Sequence, residues 1–533
     1  MMLRRNWAQH IGLFLAVIGV ILALLLVNGH LMLAGDNATY IVLGQSLALG
    51  KGYRLISDPR EPLMALYPFG YPLLLAAVLR LTGNTQDLLA AIVPMKLLSI
   101  AFFGGSLVLL YDLLQKEGHW LATLVTLLTA ANPYMLGFAT EVQTEITFFF
   151  LSLLALWLYE KQYASGPSYR WLAMVAVVLG ASCYIRSLGL TLAVALGLAL
   201  LLRRSFREAM TLLAISTGLV LPWVLYGMSL PSTGTHVALG RSYLSIYLAG
   251  DPYGTFGLTP GFVVERLTQN LYLYGVEILP YMIFPHLQSM LRWEAMRSVL
   301  PFLAAGISLL PVVGLIRRWR SGARAMECYF ALFVLSTIAY LWAQGRLLVP
   351  ALPLILYYTL QGLEGVLSLG QALLRGRVRE GAILLTAVLL LSALVVDGRR
   401  IARNIGENIH LSTLEYYDRD APQWSNYLRA IYWIDGVAPR DVHVMCRKAD
   451  IVYLLTGRQA LEYPYVPQPE PMLELAAETN VGYIIRDAFT WTTTTVQYLS
   501  QALRDAQKMT PSPVTLVYRT EPPVTEVWKV KEN

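Results

Sequence analysis

Five charged side chains stand where apolar runs begin or end: Asp36, Glu141, Glu145, Arg186 and Arg346. A carboxylate in such a place can take a proton from a hydroxyl. An arginine near hydrocarbon is unfavourable unless it reaches headgroups or binds an anion, and its planar fork suits phosphate oxygens. Glu141 and Glu145 are four residues apart, so on a helix they share one face, where like charges raise a carboxyl pKa or favour a shared cation. Each residue also has a plainer reading. Asp36 can cap a helix, the two glutamates can be solvated on a tight loop, and Arg186 can anchor to lipid. Arg241 and His286 lie in a later polar loop, the first an anion binder and the second a metal ligand or a headgroup-level side chain.

The elements that position these residues belong to a membrane protein. More than half of the 533 residues are apolar and only 14% are charged, which excludes a water-soluble chain. Apolar runs at 11–34, 90–114, 120–139, 146–159, 171–185, 187–202, 208–228, 298–316, 326–343, 347–363 and 381–397 predict about eleven transmembrane helices. The first run is too long for a signal peptide and no small-residue cleavage site follows it. Cys183, Cys328 and Cys446 offer neither a disulfide framework nor a cysteine zinc site.

With the N-terminus inside, the inner loops carry Arg4/Arg5, Lys116, Lys161/Arg170, Arg203/Arg204/Arg207, Arg317/Arg318/Arg320/Arg324 and Arg375/Arg377/Arg379. The positive-inside rule therefore predicts an N-in, C-out protein of the cell membrane, and the basic pI records topology and not nucleic-acid binding. Residues 1–397 form the membrane domain with external loops 35–89 and 229–297, and 398–533 form an external domain. Tyrosines crowd the second loop, as they do at membrane interfaces generally.

The first external loop opens on Gly35-Asp36-Asn37-Ala38-Thr39-Tyr40, continues as a short helix expected to lie on the membrane surface, and stops at Gly50-Lys51-Gly52-Tyr53. Tyr67-Pro68-Phe69-Gly70-Tyr71-Pro72 then turns the chain into a second apolar helix that ends before Gly83. Together with Asp36 at the end of the first span, these segments resemble the first loop of GT-C-fold glycosyltransferases, more narrowly the superfamily of protein O-mannosyltransferases and aminoarabinose-lipid A transferases. The run from Arg346 to Pro353 is similar to the Arg-x-x-x-Pro-x-x-Pro of many of its members. In one respect the sequence departs from them: many carry two adjacent acids in this loop, and here Asn37 follows Asp36.

The resemblance implies transfer of a sugar from a polyprenyl-phosphate carrier to an acceptor outside the membrane, with Asp36 near the reaction centre and an acid of the second external turn, best Glu145 with Glu141 as alternative. In the inverting mechanism expected, Asp36 is the general base, while Arg186, Arg346 and Arg241, with Tyr67 and Tyr71, bind donor and phosphate. Glu145 orients the acceptor or, with Asp36 and His286, holds a divalent cation such as Mg or Mn. The rival class is a transporter or flippase for a lipid-linked glycan, which would bury charges near the midplane of paired halves.

In the tail, helices at 423–434, 449–455, 471–479 and 495–504 alternate with strands at 442–446, 459–463, 481–485, 514–518 and 524–530. This order predicts a small α/β domain with a mainly parallel sheet, for acceptor recognition, for covering the active site, or as a structural cap. The tail shows no glycine-rich phosphate loop, no metal-ligand spacing and no nucleophile motif.

Overall fold

The structure is a computed structural model and describes residues 2–165, 168–230, 259–287, 298–322, 325–369, 378–491 and 493–531. A helix lies at every apolar run named above: Met2–Leu26, Ile92–Leu114, His119–Ala130 with Pro133–Ala139, Thr144–Ser165, Tyr169–Ile185, Gly189–Leu202, Phe206–Ser229, Leu300–Arg320, Ala325–Ala339, Leu352–Leu369 and Val378–Gly406. Among the described residues, four stretches are long and apolar enough to cross a membrane, or five if the bent pair His119–Ala130 and Pro133–Ala139 is one span. That pair turns by 59°. The run 120–139 is thus not one straight helix, because Pro133 has no N–H to continue the ladder and Asn132 caps the new helix by accepting from the amides of Tyr134 and Met135.

These helices are apolar on their outer surfaces as well as inside. Phe302 is 81% exposed and Leu391 65%, and Leu309 and Met210 also point outward. A helix apolar all round belongs in lipid or in a core, and these side chains have no core around them. The chain is a polytopic helical membrane protein with a small C-terminal α/β region.

It divides into two compact units. The first comprises Met1–Val27, Lys96–Leu225 and Tyr243–Gly406. Its closest helix contact joins Leu300–Arg320 to Leu352–Leu369 through Gly314 and Gly362: a Cβ on Gly314 would lie 2.0 Å from the carbonyl oxygen of Tyr358, and one on Gly362 would lie 1.9 Å from that of Leu310. Small residues facing each other let two backbones approach in this way.

The second unit comprises Asn28–Met95, Tyr226–Ser242 and Glu407–Asn533, so the loop after the first apolar run and the tail fold together. The helix Asn37–Ala48 was expected on a membrane surface. Ten of its twelve residues are instead buried, because it packs against both Gly70–Thr82 and the tail helix Ala449–Thr456. Val42, Leu43, Leu55, Ile56 and Met64 form its core. Gly83 ends Gly70–Thr82 in the left-handed region, φ 74°, where a Cβ would be strained.

In the tail, strands β1 (His443–Met445), β2 (Ala460–Leu461), β3 (Val481–Arg486), β4 (Val514–Arg519) and β5 (Glu526–Val530) form one sheet in the order β2-β1-β3-β5-β4. β2, β1 and β3 are parallel, whereas β5 runs antiparallel to both β3 and β4. The sheet is therefore mixed where a mainly parallel one was expected. Only Thr520–Thr525 separates β4 from β5, too short for the crossover that a parallel pair requires. Its core is Met445, Leu461, Met472, Leu475, Ile484, Leu503 and Trp528 with their neighbours.

Candidate functional site

Asp36 occupies the N-cap position of Asn37–Ala48, and its carbonyl accepts the first helical bond from Tyr40 at 3.0 Å. Its side chain makes no capping bond. The carboxylate instead accepts from the Tyr67 hydroxyl at 3.2 Å. The plain capping reading thus accounts for the backbone of Asp36 but not for its carboxylate. Tyr71, expected with Tyr67 to meet substrate, has no exposed surface and packs edge-on against Tyr40, which places it in the support of the loop. Asn37, which follows Asp36, is also buried.

The tail supplies groups around Asp36 that nothing in the sequence indicated. Lys448 donates to the Gly35 carbonyl at 3.0 Å, and its ammonium stands 5.4 Å from the ring centre of Trp491. Two residues on, Asp450 accepts from Ser57 at 2.6 Å and from Thr39. Arg447 pairs with Glu462 at 2.9 Å and lies over the rings of Tyr465 and Trp491. Burial lowers the pKa of Lys448, against the opposing pull of Asp36. Burial likewise raises that of Asp450, against the hydrogen bonds from Ser57 and Thr39. Both nevertheless keep partly exposed surface, so solvent reaches this cluster.

The other candidates lie in the first unit. Glu141 and Glu145 do not share a helix face: Glu141 lies in the turn before Thr144–Ser165 and Glu145 in its first turn. Each carboxylate faces a separate cation, which removes the repulsion expected between them. Glu141 pairs with Lys96 at 3.5 Å, and Lys96 is 1% exposed. Glu145, with no exposed surface, accepts from Arg186 at 2.6 Å, and Arg186 also donates to Thr144 at 2.7 Å. Glu145 therefore has the position of a partner that orients Arg186. Lys96 was missed, although a single cation inside the apolar run 90–114 is a signal in its own right.

Arg346 opens the short helix Gly345–Leu348 and donates to its neighbour Gln344 at 2.7 Å. His286 sits in a turn just after Leu279–Ile283. Arg241 lies outside the described residues. Among the described residues no three His, Cys, Asp or Glu side chains gather as a metal site requires.

Solved structures share this architecture. The archaeal oligosaccharyltransferase AglB from Archaeoglobus fulgidus, in complex with an inhibitory peptide and a dolichol-phosphate, matches with a TM-score of 0.55 and 10% identity over 98% of this chain and 74% of that one. The Archaeoglobus fulgidus oligosaccharyltransferase in complex with zinc and sulfate matches at 0.57 and 12% over 96% and 72%. ArnT from Cupriavidus metallidurans, bound to undecaprenyl phosphate, matches at 0.52 and 12% over 97% of both chains. No protein-family model and no curated protein matches the sequence. At these identities the likeness is one of fold, and the fold is that of the GT-C glycosyltransferases, as the first loop implied.

Proposed function

We propose that this chain transfers a sugar from a polyprenyl-phosphate carrier to an acceptor (protein, lipid or glycan) on the extracytoplasmic side of the cell membrane. The observation that carries this reading is the carboxylate of Asp36, at the start of the first external helix, turned from capping toward the Tyr67 hydroxyl. The fold is consistent with it, being shared with an oligosaccharyltransferase holding dolichol-phosphate and with ArnT holding undecaprenyl phosphate. The apolar runs support about eleven spans, and the positive loops between them support an N-terminus inside and a tail outside.

In the mechanism, Asp36 takes the proton of an acceptor hydroxyl as its oxygen attacks the anomeric carbon. The bond from that carbon to the phosphate oxygen breaks, and polyprenyl phosphate leaves with the electron pair and the configuration inverted. Phosphate needs little help to leave. Arg186, held in place by Glu145 and Thr144, and Arg346 balance the charge that develops on it.

The test is release of polyprenyl phosphate from a labelled polyprenyl-phosphate sugar by the purified protein. Asp36→Asn should lower the rate by at least about 100-fold while donor binding is kept. Full transfer by a well-folded Asp36→Asn protein would remove the base assignment.

A further inference from the structure

The start of the tail helix Ala449–Thr456, with Lys448 at its N-cap, grips the start of the helix that bears Asp36 at two points. Lys448 holds the carbonyl of Gly35, immediately before Asp36, and Asp450 holds the hydroxyl of Thr39, three residues after it. Asp450 also takes the hydroxyl of Ser57, further along the same external loop. Lys448 is itself fixed from behind, since the Tyr427 hydroxyl accepts its amide at 3.2 Å.

Asp36, Glu462 and Asp450 favour the charged form of Lys448, and Arg447 opposes it. Arg447 is already paired with Glu462, and the Asp450 carboxylate receives two hydroxyls. A lysine that loses part of its hydration is disfavoured as a cation unless a counter-charge offsets the loss. A lysine needed only to satisfy the Gly35 carbonyl could be replaced by water or an amide. A cation on that carbonyl that also feels the charge of Asp36 can hold the backbone and the carboxylate together.

We infer that Lys448 is a positioning residue for Asp36, so that the tail completes the catalytic geometry of the first external loop. This rests on the transferase reading above. Loss of such a hold displaces the base without removing the donor site, and displacements on the order of 1 Å can lower turnover about 100-fold.

The experiment compares Lys448→Met, Lys448→Gln and Lys448→Arg with wild type and Asp36→Asn, using the full-length protein and a polyprenyl-phosphate sugar, with thermal midpoints recorded for each. Lys448→Met should lose roughly 10- to 100-fold in kcat while KM for the donor stays within about threefold. Lys448→Gln, which keeps a donor for Gly35 without the charge, should stay impaired, and Lys448→Arg should recover much of the rate. A kcat for Lys448→Met within about twofold of wild type, or Lys448→Gln as active as Lys448→Arg, would overturn the inference. If Lys448→Met does not fold, the comparison of Gln with Arg decides alone. Full turnover by Asp36→Asn defeats the transferase reading and this inference together. An inert Asp36→Asn beside a fully active Lys448→Met defeats the inference only.

Discussion

Arg186 donates to Glu145 across 2.6 Å, and the carboxylate it meets has no exposed surface. Removing the arginine alone strands a buried charge, which typically costs about 3–5 kcal/mol, whereas removing both charges can be nearly neutral. Arg186→Met should therefore lower the thermal midpoint in detergent markedly, and Arg186→Met with Glu145→Gln should restore much of it. Transfer should not return with stability, because the guanidinium proposed to meet phosphate is gone. A double variant no more stable than the single one would show that the pair does not hold this part of the fold.

The charges just discussed were legible in the sequence because they interrupt apolar runs, and Asp36 was legible because it ends one. Their partners were not. Lys448 contacts Gly35 from 413 residues away, and neither a spacing nor a periodicity connects the start of a tail helix to a loop so distant. The helix Asn37–Ala48 was placed correctly but assigned the wrong environment: its apolar residues go all round, which a buried helix and a membrane-surface helix can both show until the tail helix Ala449–Thr456 is seen covering one side. β3 was plain from its Val and Ile content, while β2 shrank to Ala460–Leu461. The direction of β5 depended on a connection whose length could have been counted beforehand.

Gly314 and Gly362 face each other across two packed helices, and the atoms a new Cβ would strike are backbone carbonyls that cannot rotate aside. Gly314→Ala or Gly362→Ala must therefore push Leu300–Arg320 away from Leu352–Leu369, with an overpacking penalty of about 1–3 kcal/mol or more. Gly218, in Phe206–Ser229, has nothing within 4 Å of its would-be Cβ. Gly218→Ala should be neutral or stabilising by up to about 1 kcal/mol, since alanine is the better helix former. Thermal midpoints of the three variants test the contrast, and equal behaviour at 218 and 362 would contradict the close approach.

Asp450 carries a pH signature of its own. Burial raises its pKa in the folded chain above the ordinary carboxylate value, despite the hydroxyls of Ser57 and Thr39 that favour its charge. The folded state thus binds this proton more tightly than the unfolded state does. By linkage, the contribution of the proton to stability is fully present below the unfolded pKa, near 3.8, and is lost as pH rises through the folded pKa. Asp450→Asn has no such proton and no such slope. The difference in thermal midpoint between wild type and Asp450→Asn should therefore move in favour of wild type as pH is lowered from about 7 toward about 4. Carboxylates elsewhere titrate in both proteins and cancel in the difference. A gap that is flat with pH would mean that the two hydroxyl donors balance burial, and one that moves the other way would mean that they outweigh it; either contradicts a raised pKa.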